Sequence, residues 1–353
     1  MARNSNKKRR LSVLDRMLLI VSVVLIGVSA GIIGYVSLMN WAPLPEVDES
    51  GHAVSIDEGI QTAEENRGKV TNFLVTGIDY NTIDPSAGTA RGKLTDVIMV
   101  VQLNLETQKV NILQIPRDTY VGTDVSSTGK INAVYGKSGM EGLAQVIYDR
   151  FKLPVDHYVN VIMDGFIRIV DAVGGVEINI QESFTLEGYT FQPGLQTLNG
   201  IEAEKFVRER HSRPGSDIGR MNAQREFLSA MFKKFKSLSL DEITALVPVV
   251  MEEVTTDLNV KTVLSLVEVM MQIDENDISF FTVPGEGCTA PNGQSVWSVH
   301  LEPLAELLNE NFHPFDEPVP ASELNLVELQ NTTDYYDNNN STVGDILDGK
   351  DEE

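Results

Sequence analysis

Cysteine, histidine and positive charge are what this 353-residue chain has least of, and each shortage removes a class of function. The lone Cys288 can form no intrachain disulfide, so a domain exposed outside the cell must be large enough to stabilise itself by burial. The five histidines, His52, His157, His211, His300 and His313, are scattered in no metal-ligand spacing, which sets aside a zinc hydrolase. No nucleophile comes with a recognisable base, and Gly174-Gly175 lacks the flanking residues of a nucleotide-binding loop. With 28 Lys and Arg against 51 Asp and Glu, the formal net charge is −23. Duplex nucleic acid, whose binding depends on neutralising many phosphates, is excluded as a partner.

The first feature present is a run without a charged residue, from Met17 to Met39. It exceeds the roughly 20 residues needed to span a bilayer core, and a cleaved signal has a shorter apolar region. Arg3, Lys7, Lys8, Arg9 and Arg10 precede it. Basic flanks stay cytoplasmic, so the pattern predicts a cytoplasmic segment over 1–16, a transmembrane helix over 17–39 and an extracytoplasmic bulk beyond Trp41. Such a single-pass protein of the cell membrane, without disulfides, fits a bacterial surface of Gram-positive type.

Residues 40–70 are polar and acidic and read as a stalk or a short leading helix. From residue 71 to about 315, apolar runs with strand character alternate with segments at helical spacing. Strands are predicted at 72–77, 96–103, 110–115, 157–162, 176–180 and 278–283. Helices are predicted at 139–151, 166–173, 200–210, 218–236, 240–253 and 260–272. This order predicts an α/β domain, a layered α/β/α sandwich with a central mixed β-sheet. Residues 316–353 are acidic and Asn-rich and read as a disordered tail.

Four clusters fall at predicted strand ends or helix starts, where α/β domains place ligands. Asp79 follows the first strand and Asp96 opens the second. Two such carboxylates suit Mg²⁺ or Mn²⁺, which use one or two carboxylates plus substrate phosphates. Arg117 and Asp118 follow Pro116 at the end of the third strand. Last comes a segment over 206–225 with Arg208, Arg210, Arg213, Arg220 and Arg225, a dense set of guanidinium forks in an acidic chain. Arginine grips phosphate in a bidentate manner, so this segment reads as a site for a compact anion. Arg220 and Gln224, four apart, share a helix face. Each cluster has a plainer reading: a solvated turn for Asp79, a local ion pair for Arg117 and Asp118, and surface pairs with Glu202, Glu204, Glu209 and Glu226 for the arginines. Arg225, about 100° around the helix from Gln224, is assigned to those surface pairs, so its loss is expected to be silent.

Taken in order, Phe-Leu-Val-Thr-Gly-Ile-Asp79, Thr-Asp-Val-Ile-Met99, Gln-Ile-Pro-Arg-Asp-Thr-Tyr120, Lys-Ile-Asn-Ala-Val-Tyr135, Asp-Ala-Val-Gly-Gly-Val-Glu177 and the arginine pattern ending at Gln224 resemble the LytR-CpsA-Psr family of bacterial cell-wall enzymes. The resemblance runs from about residue 72 to 236. It implies transfer of an anionic glycopolymer, of teichoic acid or capsule type, from a polyprenyl-diphosphate carrier to peptidoglycan. It further implies that Arg117, Arg208, Arg210, Arg220 and Gln224 hold the diphosphate and that Asp79 and Asp96 hold Mg²⁺. The lipid tail would occupy the apolar interior, and Asp96 or Asp118 would serve as general base. Leu94 and Ala223 stand where family members often carry arginine. A non-catalytic lipid-diphosphate-binding module and a pyrophosphatase on the same carrier remain as alternatives.

Overall fold

The computed structural model describes residues 55–78, 94–209, 217–332 and 341–350. The expected anchor at 17–39, Asp79 and Arg210 lie outside them. Among the described residues no helix is long and apolar enough to cross a membrane.

Strands β1 (Val70–Ile78), β2 (Thr95–Asn104) and β3 (Lys109–Gln114) form an antiparallel meander. Helix α1 (Val134–Phe151) leads to β4 (His157–Ile162), which lies parallel to β1 on its other side. Helix α2 (Met163–Ala172) follows, then two small hairpin sheets made by β5 (Val176–Ile180), β6 (Phe184–Leu186), β7 (Tyr189–Phe191) and β8 (Gly194–Leu198). Helices α3 (Gly200–Arg208), α4 (Asp217–Lys236) and α5 (Leu240–Met251), edge strand β9 (Val254–Thr256) and helix α6 (Val260–Met270) come next. Strand β10 (Ile278–Thr282) runs parallel to β3. A hairpin of β11 (Gly285–Thr289) and β12 (Ser295–Val299), helix α7 (Leu301–Asn311), strand β13 (Ser341–Thr342) and helix α8 (Val343–Asp348) complete the order.

The central sheet has seven strands in the order β13-β10-β3-β2-β1-β4-β9 and is mixed, as expected. Phe73, Met99 and Val101 point into a core shared with α2 through α6, while Leu74, Ile98 and Val100 point into a second core shared with α1 and α7. Burial on both faces is why these strands read as unbroken apolar runs. Since β1, β3, β4 and β10 all run the same way and β2 runs against them, the C-terminal ends of four strands and the start of β2 meet at one edge.

Two expected boundaries are corrected. The segment read as a stalk already belongs to the domain by residue 56, because Ile56 and Ile60 are buried in the second core and the Thr62 amide donates to Asp156. The segment read as a disordered tail is folded at 316–332 and 341–350. Ala321, Leu324 and Leu326 join the second core, and β13 pairs with the edge strand β10. Average acidity concealed these few well-spaced apolar residues, which suffice once a sheet edge offers a ladder.

At the start of β4, the half-buried His157 places Nδ1 2.8 Å from Asp257 Oδ2, and Asp257 Oδ1 also accepts from the Tyr158 amide at 3.0 Å. Burial pushes the imidazole pKa down, but the Asp257 carboxylate, aided by Asp156, outweighs it and raises the value above the ordinary 6.5. The folded state therefore binds this proton more tightly than the unfolded chain. The resulting stability is fully present below about pH 6.5 and is lost as pH rises through the folded pKa. His157→Gln should accordingly show a melting-temperature deficit that is largest near about pH 6 and shrinks toward about pH 9. A deficit that does not change across a series of melts would contradict the pairing.

Candidate active site

The site forms at the common edge where the parallel strands end. At the end of β1 the register with β2 slips: Gly77 faces Val97, and Ile78 faces Thr95. Asp96 is the residue passed over, the signature of a β-bulge. Strict alternation would put Asp96 on the opposite face from Val97 and Met99. The bulge brings it to the same cavity that they line. Gly77 permits the close approach, since a Cβ there would lie 3.1 Å from the Val97 side chain.

Beyond β3, Pro116 ends the ladder and its carbonyl accepts from the Thr119 amide at 2.9 Å and the Thr119 hydroxyl at 2.6 Å. The turn so formed is fixed further by the Asn132 amide donating to the Arg117 carbonyl at 3.1 Å and the Trp297 amide donating to the Asp118 carbonyl at 2.9 Å. These bonds present Arg117 and Asp118 on a preorganised loop. Arg117 Nη1 pairs with Asp96 Oδ1 at 2.5 Å, and Lys130 Nζ lies 3.2 Å from Asp118 Oδ1.

Helix α4 brings the remaining groups. Its first turns lie over the ends of β3 and β10: Gln114 Nε2 donates to the Met221 carbonyl at 3.3 Å, and Arg225 donates from Nε to Gln114 Oε1 and from Nη2 to Thr282 Oγ1. The Arg225 guanidinium also sits 5.8 Å from the centre of the Phe280 ring. One turn apart on this helix, Arg220 and Gln224 are both buried, and Gln224 lines the cavity with Asp96. Arg208 lies at the C-terminal end of α3, half-exposed, where it pairs with the buried Glu204. Val207 beside it is part of the cavity wall.

The cavity lies between the sheet and helices α2 and α4. Val75, Met99 and Val101 form the sheet wall, and Phe166, Phe227 and Met231 the helix wall. Its polar residues are Asp96, Gln224 and Thr76, and the Thr76 hydroxyl donates to Asn160 Oδ1 at 2.8 Å. A carboxylate and arginines at the mouth of an apolar chamber suit an amphiphile with an anionic head and a hydrocarbon tail.

Of the residues singled out in the sequence, the structure places Asp96, Arg117 and Asp118 on adjoining strand ends, with Arg220 and Gln224 on the helix above them. Arg208 carries one of the plainer pairings, to Glu204. Among the described residues no group of three His, Cys, Asp or Glu side chains is placed to hold a metal. The assignment of Arg225 to surface pairs is corrected: it is 3% exposed and bonded to two strand ends. The 100° offset from Gln224 is real, but α4 is buried on both of those sides. An arginine spaced to face strand ends carrying Gln114 and Thr282 was the available signal. Ala223 is fully buried, so no guanidinium enters from that position.

Residues 46–313 match the model of the LytR_cpsA_psr family. The chain is 31% identical over 256 residues to the polyisoprenyl-teichoic acid–peptidoglycan teichoic acid transferase TagU of Bacillus mycoides, covering 70% of this chain and 79% of that protein. It is 30% identical over 243 residues to TagU of Bacillus subtilis, covering 67% and 74%. The crystal structure of B. subtilis TagV superposes with a TM-score of 0.60 at 26% identity, over 69% of this chain and 95% of that one.

Proposed function

The chain belongs to the LytR-CpsA-Psr family, and on that premise we infer that it transfers an anionic glycopolymer to peptidoglycan. The observation that carries this reading is the cavity: an apolar chamber whose mouth bears Asp96 and Gln224, with Arg117 paired to Asp96. Relatives named as teichoic acid transferases favour teichoic acid as the polymer, and a capsule-type polymer would present the same phosphate chemistry.

In this proposal the donor is a polyprenyl diphosphate. Its tail occupies the cavity and its two phosphates lie among Arg117, Arg208, Arg220 and Gln224, with Arg210 completing the set. A sugar hydroxyl of peptidoglycan attacks the phosphorus next to the glycopolymer and forms the new P–O bond. The bond from that phosphorus to the bridging oxygen breaks, and its electron pair leaves with the polyprenyl monophosphate. The hydroxyl proton passes to a carboxylate. Asp96 is the nearer candidate because it lines the cavity and Asp118 does not, each of them already facing a cation, Arg117 and Lys130 respectively. The arginines neutralise charge growing on the transferring and leaving phosphates, and the fixed loop at 116–120 positions Arg117 before the reaction begins.

The donor set fits a hard divalent cation completed by substrate oxygens, because Asp96 supplies a carboxylate at the mouth beside the proposed phosphate position. Asp96 and Asp79 would hold Mg²⁺ or Mn²⁺, which when bound supplies Lewis-acid stabilisation of phosphate charge. The charge-free run at 17–39 and its basic flank support a membrane anchor that keeps the domain extracytoplasmic beside its lipid substrate.

The test incubates purified protein with a short-prenyl diphosphate glycan and peptidoglycan fragments, with Mg²⁺ or with chelator. A glycan-phosphate-peptidoglycan adduct that disappears with chelator is expected, and Arg117→Ala should lower its rate by about 100-fold or more. Lipid binding without any product would instead support the binding module.

A further inference from the structure

Helix α4 and strand β10 run from the polar mouth to an opposite end of the cavity that no motif accounts for. At the polar end, Thr282 closes β10 and is bonded to Arg225. The far end is marked by Ile278 and Phe280, at and near the start of β10, with Met270 at the end of α6. There β13 pairs with β10, Thr342 facing Ser279 and Ser341 facing Phe280. The next residue, Val343, is 1% exposed and lines the cavity. This segment lies beyond residue 313, where the family match stops.

We propose that the C-terminal segment 341–350 is the end wall of the apolar cavity and limits the length of hydrocarbon chain it takes. The inference rests on the cavity being the prenyl site. The wall is held firmly enough to act as a stop. Thr342 and Asp345 form a reciprocal cap on α8, Ile346 is buried behind Val343, and Gly344 approaches Asn276 so closely that a Cβ would lie 2.2 Å from its Oδ1. An apolar side chain at the end of a blind chamber makes each added prenyl unit favourable until the chain reaches it. Beyond that point the added carbons must fold back or stay in water.

The experiment measures binding of geranyl, farnesyl, geranylgeranyl and undecaprenyl monophosphates to the full chain and to Val343→Trp and Val343→Ala, each checked by thermal melting. For the unmodified protein, affinity should rise along the series and then level off. Val343→Trp should weaken the longer ligands by about tenfold while sparing geranyl monophosphate, the loss of burial for about two methylene groups. Val343→Ala should move the plateau toward longer chains, and it decides the matter alone if the tryptophan variant does not fold. Binding of every ligand with the same length profile in all proteins would overturn the end-wall assignment and leave the lipid cavity standing. Failure of the unmodified protein to bind any of them would overturn the cavity reading and this inference with it.

Discussion

Arg220→Ala should lower the rate of glycopolymer transfer by about 100- to 1000-fold, the loss typical of removing one preorganised donor from a developing anion. Arg220 is almost fully buried on α4, one turn before the cavity-lining Gln224. A guanidinium so placed is desolvated before substrate arrives, so its charge is screened less than at the surface. Arg220→Lys retains the charge but loses the planar fork, and should fall between the alanine variant and the unmodified enzyme. Initial rates on the prenyl-diphosphate glycan, with a melting curve for each protein, separate a chemical defect from unfolding. An alanine variant that melts normally and turns over normally would remove Arg220 from the site.

Arg225→Ala should be nearly as damaging by a different route. The substitution leaves Gln114 Oε1 and the Thr282 hydroxyl without their arginine donors in a buried interface and removes the cation beside Phe280. A buried polar group stripped of its partner costs about 1–3 kcal/mol, so two of them predict a loss of about 2–6 kcal/mol. The rate should fall as well, because these bonds fix the start of α4 against the strand ends. Arg225→Met, which restores much of the volume without the bonds, should recover only part of the stability. Denaturant midpoints for both variants provide the check, and an unchanged midpoint for Arg225→Ala would show that the interface tolerates its loss.

These two arginines illustrate what could be read from residue order. The strands, the main helices and the mixed α/β architecture were legible because the sheet is buried on both faces and its strands are unbroken apolar runs. The positions of Asp96, Arg117, Asp118, Arg220 and Gln224, at or just beyond strand ends and on the first turns of a helix, were legible from the order of apolar runs. The inward turn of Asp96 was not, since a bulge depends on pairing with β1 and leaves no trace in the alternation of β2 itself. Arg225 was misplaced because helical geometry gives angles between side chains but not how many sides of the helix are covered. The C-terminal wall was missed because Val343, Ile346 and Leu347 are few among acidic neighbours, and their burial depends on the open edge of β10.

The central claim is that the phosphorus beside the glycopolymer is attacked by a peptidoglycan hydroxyl. The most direct measurement runs the reaction in water enriched in heavy oxygen and weighs the phosphorylated glycan products. Transfer predicts glycan phosphate joined to peptidoglycan fragments with no heavy oxygen at phosphorus. Free glycan phosphate carrying one heavy oxygen, formed whether or not peptidoglycan is present, would show water to be the acceptor and would contradict the claim.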